Sequence, residues 1–179
     1  SYFRMLSQNG ILVKDSSMLD LLSQVDTIVF DKTGTLTLPQ PQVGKLYTCS
    51  DYQENEILAY AAAAEYRQTH PIAVAIREAA SRQSLKIPNI DDADYEVGYG
   101  IKVTLNQQVV KVGSHRFMTQ EGLTIPASIQ QAEELSHSHG HSLVMVAVDH
   151  QVIGAIELHP TVRPEAAAII RELRERYHQ

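Results

Sequence analysis

Residues 25–37 read VDTIVFDKTGTLT, a compact β-branched and aromatic run that stops on an aspartate. The stretch 27–30 is expected to be a strand, and its apolar run is that of a parallel strand buried on both faces. A carboxylate at the C-terminal end of such a strand lies where open α/β sheets bind ligands. Gly34 permits a tight turn just beyond it, bringing backbone N–H groups toward a phosphate, and Thr33 and Thr35 add hydroxyls. Asp-Lys-Thr-Gly alone fits an ordinary Asx-type turn. Seven specified positions behind a buried strand ask for more.

The rest of the chain alternates helix and strand. Ser17-x-x-Asp20 resembles a capping box opening a helix to about residue 24, and Asp51-x-x-Glu54 one opening a helix to about residue 67. Pro71 suits the first position of a helix running to about 84, where its missing N–H costs nothing. Strands are expected at 101–105 and 108–112 around Asn106-Gln107, then at 142–149 and 151–158 around Asp149-His150, with a helix at 127–137 before them. A last helix starts at Pro164. Hairpins between about 45 and 155, set beside a parallel strand before Asp31, imply an antiparallel α+β domain inserted into an α/β one. The chain ends inside the charged helix RELRERYHQ with no C-cap, and so reads as an excerpt.

Composition narrows the function classes. Fifteen Lys and Arg against 21 Asp and Glu leave a net charge of −6, a poor electrostatic match for nucleic acid. The longest apolar run, 57–64, has eight residues, against the roughly 20 a membrane-spanning helix needs. A single cysteine, Cys49, excludes an internal disulfide or a cysteine zinc cluster and fits a reducing compartment.

DKTGTLT, at 31–37, resembles the phosphorylation motif of P-type ATPases, within the haloacid-dehalogenase-like superfamily. The resemblance implies that Asp31 is a nucleophile taking the γ-phosphoryl of ATP as an aspartyl phosphate. It implies that Mg²⁺ is held by the Asp31 carboxylate and the Thr33 backbone carbonyl, and that Thr35 hydrogen-bonds the phosphoryl group. Glu65, His70-Pro71 and Gly98-x-Gly100, with Ile101 following, stand at positions similar to those of the nucleotide-binding domain of the heavy-metal branch. His70 precedes a helix whose positive end disfavours an imidazolium, so a neutral ring can stack on or hydrogen-bond to adenine. Glu65 is an acceptor suited to the adenine amino group, and Gly98 and Gly100 allow close backbone approach. Read singly, the histidine is a cap, the glycines mark a turn, and Glu65 is a solvated helix residue.

The likeness covers nearly the whole chain. GILVKDSSMLDLL looks like the entry to the phosphorylation domain, VGSHRFM like the family's Val-Gly-Asn segment, and RPEAAAII like the return. Ser114 stands where the family usually has a nucleotide-site Asn, and His159-Pro160 near where it often has an Asp. The implied division is 1–44 and 156–179 for an incomplete parallel α/β phosphorylation domain, and 45–155 for a nucleotide-binding domain with an antiparallel sheet and flanking helices. The family's second Thr-Gly-Asp segment, Gly-Asp-Gly-x-Asn-Asp loop, Thr-Gly-Glu actuator loop and Cys-Pro-Cys membrane site are missing. The resemblance therefore implies a cytoplasmic piece of a membrane pump that binds ATP, lacks its actuator and transmembrane partners, and turns over poorly alone.

Two other readings compete. A soluble phosphatase of the same superfamily generally carries an Asp two residues after the nucleophile, whereas this chain has Thr33, which removes the ready proton shuttle. A non-catalytic nucleotide- or metal-binding regulatory module would need no contribution from Asp31. His137, His139 and His141 alternate in an expected loop; with no Cys or carboxylate among them, they read as a His-rich polar loop rather than a metal site.

Overall fold

The computed structural model describes residues 2–15, 17–88 and 100–177, and the chain separates into two compact units. One unit comprises Ser1–Lys32 and Pro164–Gln179, the other Thr33–Arg163. The first carries helices α1 (Tyr2–Gln8) and α2 (Ser17–Leu21), the latter running into a single tight turn, Leu22–Gln24. The expected strand at 27–30 does not form: these residues are exposed, Val29 at 88%, and have no β-partner among the described residues. An extended segment becomes a strand only when a neighbour takes up its backbone groups. None does here.

The second unit is built on a five-stranded antiparallel sheet. In chain order its elements are β1 (Gln42–Thr48), α3 (Glu54–Ala64), α4 (Pro71–Arg82), β2 (Gly100–Leu105), β3 (Gln108–Gly113), α5 (His115–Gln120), α6 (Ala127–Ser138), β4 (Ser142–Val148) and β5 (Gln151–His159). The strand order is β1-β5-β4-β3-β2. The amphipathic helix α7 (Ala166–Tyr177) belongs to the first unit. Because β1 starts before residue 45 and β5 ends after 155, the sheet reaches past both divisions read from the sequence.

Local chemistry accounts for these elements. Asn106 and Gln107 both take positive φ (49° and 67°), the primed turn whose twist matches a two-residue hairpin. At the β4–β5 turn the Asp149 carboxylate accepts the Val109 N–H at 2.8 Å, and its own N–H reaches the Val109 carbonyl at 2.7 Å. α3 is capped two residues later than Asp51-x-x-Glu54 suggests. Gln53 is the N-cap and Glu56 reaches back to its N–H at 2.7 Å, and the helix ends at Ala64 rather than near residue 67.

Side chains of β4 alternate between two cores. Leu143, Met145 and Ala147 meet one, Val146 and Val148 the other. α3 and α4 cover the latter face through Ile57, Leu58 and Ile76; α5 and α6 cover the former through Phe117, Met118 and Ile129. Burial on both faces explains the continuous apolar run LVMVAV in an antiparallel strand.

Candidate functional site

Two of the residues singled out from sequence come together where α3 gives way to α4. The Glu65 carboxylate is buried, 3% exposed, with Oε2 3.2 Å from Nε2 of His70. His70 is the N-cap of α4, and its Nδ1 accepts the Ala73 N–H at 3.2 Å. That bond occupies the Nδ1 lone pair, so a neutral ring carries its proton on Nε2, facing Glu65. Burial and the nearby Arg77 guanidinium hold the His70 pKa below the ordinary imidazole value. Burial pushes Glu65 up to about 7, against the opposing pull of Arg77. Despite the 3.2 Å approach of His70 Nε2, Glu65 Oε2 makes no aligned hydrogen bond. A buried acceptor left unmatched costs free energy comparable to a lost hydrogen bond.

Arg77, which the sequence reading passed over, organises this corner. Its Nη1 donates to the carbonyls of Glu65, at 2.6 Å, and of Gln68. It thereby fixes the connection that carries both Glu65 and His70. An arginine nine to twelve residues beyond the carbonyls it holds gives no local sequence signal; it becomes legible only once α3 and α4 are known to pack side by side.

The glycine pair divides. Gly98 lies outside the described residues. Gly100 opens β2, paired with Gly113, and a Cβ on it would fall 2.3 Å from the Phe117 ring. Its lack of a side chain is therefore explained by Phe117 lying across both glycines. Ile101, next along β2, is 8% exposed and joins the core under α3 and α4. Ser114 caps α5, its hydroxyl accepting the Phe117 N–H at 3.3 Å.

Asp31, Thr33 and Thr35 are all exposed. Thr33 (φ −78°, ψ 120°) and Gly34 (φ 81°, ψ −12°) are the central pair of a type II turn, which requires a positive φ at its third position. The turn is tied down by Arg163, whose guanidinium donates to the Thr35 carbonyl at 2.8 Å and the Gly34 carbonyl at 3.1 Å. Main-chain bonds from Arg163 to Leu36 and from Leu38 to Thr161 close the same junction. Carboxylate and carbonyl oxygens, the groups Asp31 and Thr33 carry, are the donor type Mg²⁺ prefers.

The histidines of 137–141 do not form one loop. His137 lies in α6 and His139 is its C-cap, while His141, its ring 5.9 Å from that of His139, meets β5. There His141 Nδ1 lies 2.8 Å from Glu157 Oε1, and His159 Nε2 lies 3.1 Å from Glu157 Oε2.

A family model described as haloacid dehalogenase-like hydrolase matches residues 25–178. The chain belongs to that family, and within it is homologous over most of its length to the heavy-metal P-type ATPases. It is 31% identical over 169 residues to the manganese-exporting P-type ATPase of Mycobacterium tuberculosis, a match covering 94% of this chain and 24% of the relative. Against the copper-exporting P-type ATPase of Vibrio cholerae it is 33% identical, covering 94% and 18%. A zinc-transporting PIB-type ATPase crystallised in an E2·Pi state superposes with a TM-score of 0.70 at 33% identity, covering 93% of this chain and 26% of that one. The N-domain of HMA8, a copper-transporting P-type ATPase, superposes with a TM-score of 0.53 at 30% identity, covering 65% and 98%. The chain thus spans about a quarter or less of the length of these full-length relatives. Among the described residues no helix is long and apolar enough to cross a membrane.

Proposed function

We propose that this chain is the nucleotide-binding and phosphorylation-site portion of a heavy-metal-transporting P-type ATPase, with ATP held at Glu65 and His70 and its γ-phosphoryl passed to Asp31. The observation that carries the reading is the buried Oε2 of Glu65, without an aligned hydrogen bond, 3.2 Å from a histidine whose pKa burial and Arg77 hold below the ordinary imidazole value. In its ionised form that oxygen accepts a hydrogen bond from the adenine amino group, while the His70 ring offers an uncharged face for the base. Residues 45–155 would be the nucleotide-binding domain, with 1–44 and 156–179 contributing to the phosphorylation domain on the cytoplasmic side of a membrane.

In the transfer step an Asp31 carboxylate oxygen forms a bond to the γ-phosphorus. The bond to the β–γ bridging oxygen breaks, and ADP leaves with that electron pair. The type II turn held by Arg163 presents Thr35 to the phosphoryl oxygens. Thr33 in place of a second carboxylate removes the ready proton shuttle at that position, which favours a lasting aspartyl phosphate. Mg²⁺ held by the Asp31 carboxylate and the Thr33 carbonyl would neutralise phosphoryl charge. In the intact pump, phosphorylation would drive a metal cation across the membrane through the actuator and transmembrane parts.

Titration of ATP into ¹⁵N-labelled protein, without and then with Mg²⁺, tests the nucleotide site. Amide shifts centred on Glu65, His70 and residues 98–101, weakened in His70→Gln and barely dependent on Mg²⁺, are the expected result. Shifts elsewhere, or none, would remove the reading. Labelling with γ-³²P-ATP should give little phosphoenzyme from this chain alone; any burst should disappear in Asp31→Asn.

A further inference from the structure

Glu157 and His159 project from the same face of β5, two residues apart, and His141 enters beside them from the end of α6. Their nearest ligand atoms all lie within 4.8 Å of one another. The carboxylate is seated rather than loose: the Ser136 hydroxyl donates to Oε1 at 3.1 Å and the Lys45 N–H to Oε2 at 3.4 Å. The His141 and His159 rings stack at 3.9 Å. Gly44 makes room for the second ring, since a Cβ there would fall 2.2 Å from His159 Nε2. That nitrogen is buried and, despite its closeness to Glu157, makes no aligned hydrogen bond.

We propose that His141, Glu157 and His159 form a binding site for one divalent transition-metal ion of the imidazole-preferring kind, represented by Zn²⁺. Two imidazole nitrogens and a carboxylate suit Zn²⁺, Co²⁺, Ni²⁺ and Cu²⁺, and disfavour Mg²⁺ and Ca²⁺, which take oxygen, as well as thiolate-seeking Cu⁺. Ligands about 2.0–2.1 Å from a tetrahedral ion stand roughly 3.3 Å apart. The two His–Glu separations, 2.8 Å to Oε1 and 3.1 Å to Oε2, open by a few tenths of an ångström, while the widest separation among the ligand atoms, up to 4.8 Å, closes by roughly 1.5 Å through side-chain rotation. Three protein ligands leave the fourth position to water. Ser136 and the Lys45 N–H already orient the carboxylate, as outer partners of metal ligands do. The site lies under the C-terminal end of α6. Glu65 and His70 instead sit on the connection between the helices of the opposite sheet face, so an ion here is separate from the Glu65–His70 corner. It would join β5 to the α6–β4 connection.

Competition of the intact chain with a chromophoric chelator for Zn²⁺ decides the matter, with the visible spectrum of added Co²⁺ as a second readout. The expected result is one ion per chain and an intense tetrahedral Co²⁺ band. His141→Ala and His159→Ala should each weaken Zn²⁺ binding by at least about tenfold and remove the band. Circular dichroism should show both variants folded; if either unfolds, His141→Gln and His159→Gln replace them. His137→Ala, His139→Ala and Cys49→Ser should bind as the parent does. Binding that follows those three positions instead, binding unchanged in His159→Ala and His159→Gln, or no competition with the chelator would overturn the assignment. None of these readouts uses nucleotide.

Discussion

Glu65 combines burial with an Oε2 that makes no aligned hydrogen bond, and the consequence reaches beyond ligand recognition. Burial raises its pKa to about 7 from an ordinary value of 4.5. Folding then takes up a proton wherever the unfolded carboxylate has lost it and the folded one has not. Below about pH 4.5 both states are protonated and no penalty exists. Between about 4.5 and 7 the folded state progressively loses stability as pH rises, and above 7 the loss is constant. Glu65→Gln, which cannot ionise, should therefore be more stable than the parent at pH 8 by about 1–3 kcal/mol, with the difference fading toward pH 5. Urea unfolding at the two pH values checks it. An equal offset at both would mean the carboxylate is not the titrating group.

At the scale of elements, the glycines at the start of β2 and the end of β3 act as a pair. Gly100→Ala should destabilise the second unit by about 1–3 kcal/mol, because the new methyl must displace the Phe117 ring or bend the strand. Phe117→Leu in the same chain should return part of that loss, whereas a glycine kept only for ligand approach would show no such coupling in a double-mutant cycle by chemical denaturation. Arg163→Ala should free the carbonyls of Gly34 and Thr35. The Leu38 amide, bonded to the Thr161 carbonyl across that junction, should then exchange with deuterium at least several-fold faster.

What could be read ahead of the structure follows the same physics. Both hairpins were legible, because alternation and turn chemistry act within a few residues: Asn106-Gln107 sits between runs that pair in register, and Asp149-His150 between runs that pair with one irregularity at Val146–Ala147. β1 was not. Gly44 and Lys45 interrupt its pattern at a bulge, and its partner, β5, lies over a hundred residues away. The apolar run at 27–30 suggested a buried strand because hydrophobicity reports a capacity for burial, while a strand also needs a neighbour. Glu65 and His70 were found through a likeness, yet the features that give them character, Arg77 across the loop and an unmatched Oε2, are tertiary. Glu157 was invisible beside the histidines because β5 carries it to His141 from sixteen residues away.

For the whole molecule, the two units differ in how they treat apolar surface. The buried apolar residues lie almost wholly within Thr33–Arg163, while the first unit leaves Met18, Leu21, Leu22, Ile28, Val29 and Phe30 at 38–88% exposure. Apolar side chains so near one another in sequence seek another surface. The chain should therefore enhance the fluorescence of a hydrophobic dye such as ANS and elute from size-exclusion columns larger at high concentration than at low. Val29→Asp adds charge at the most exposed of these side chains; it should lower both signals while leaving the unfolding midpoint of the sheet unit unchanged. If dye binding instead follows the sheet unit, so that Gly100→Ala raises it and Val29→Asp leaves it untouched, the association belongs to a loosened core and not to this surface.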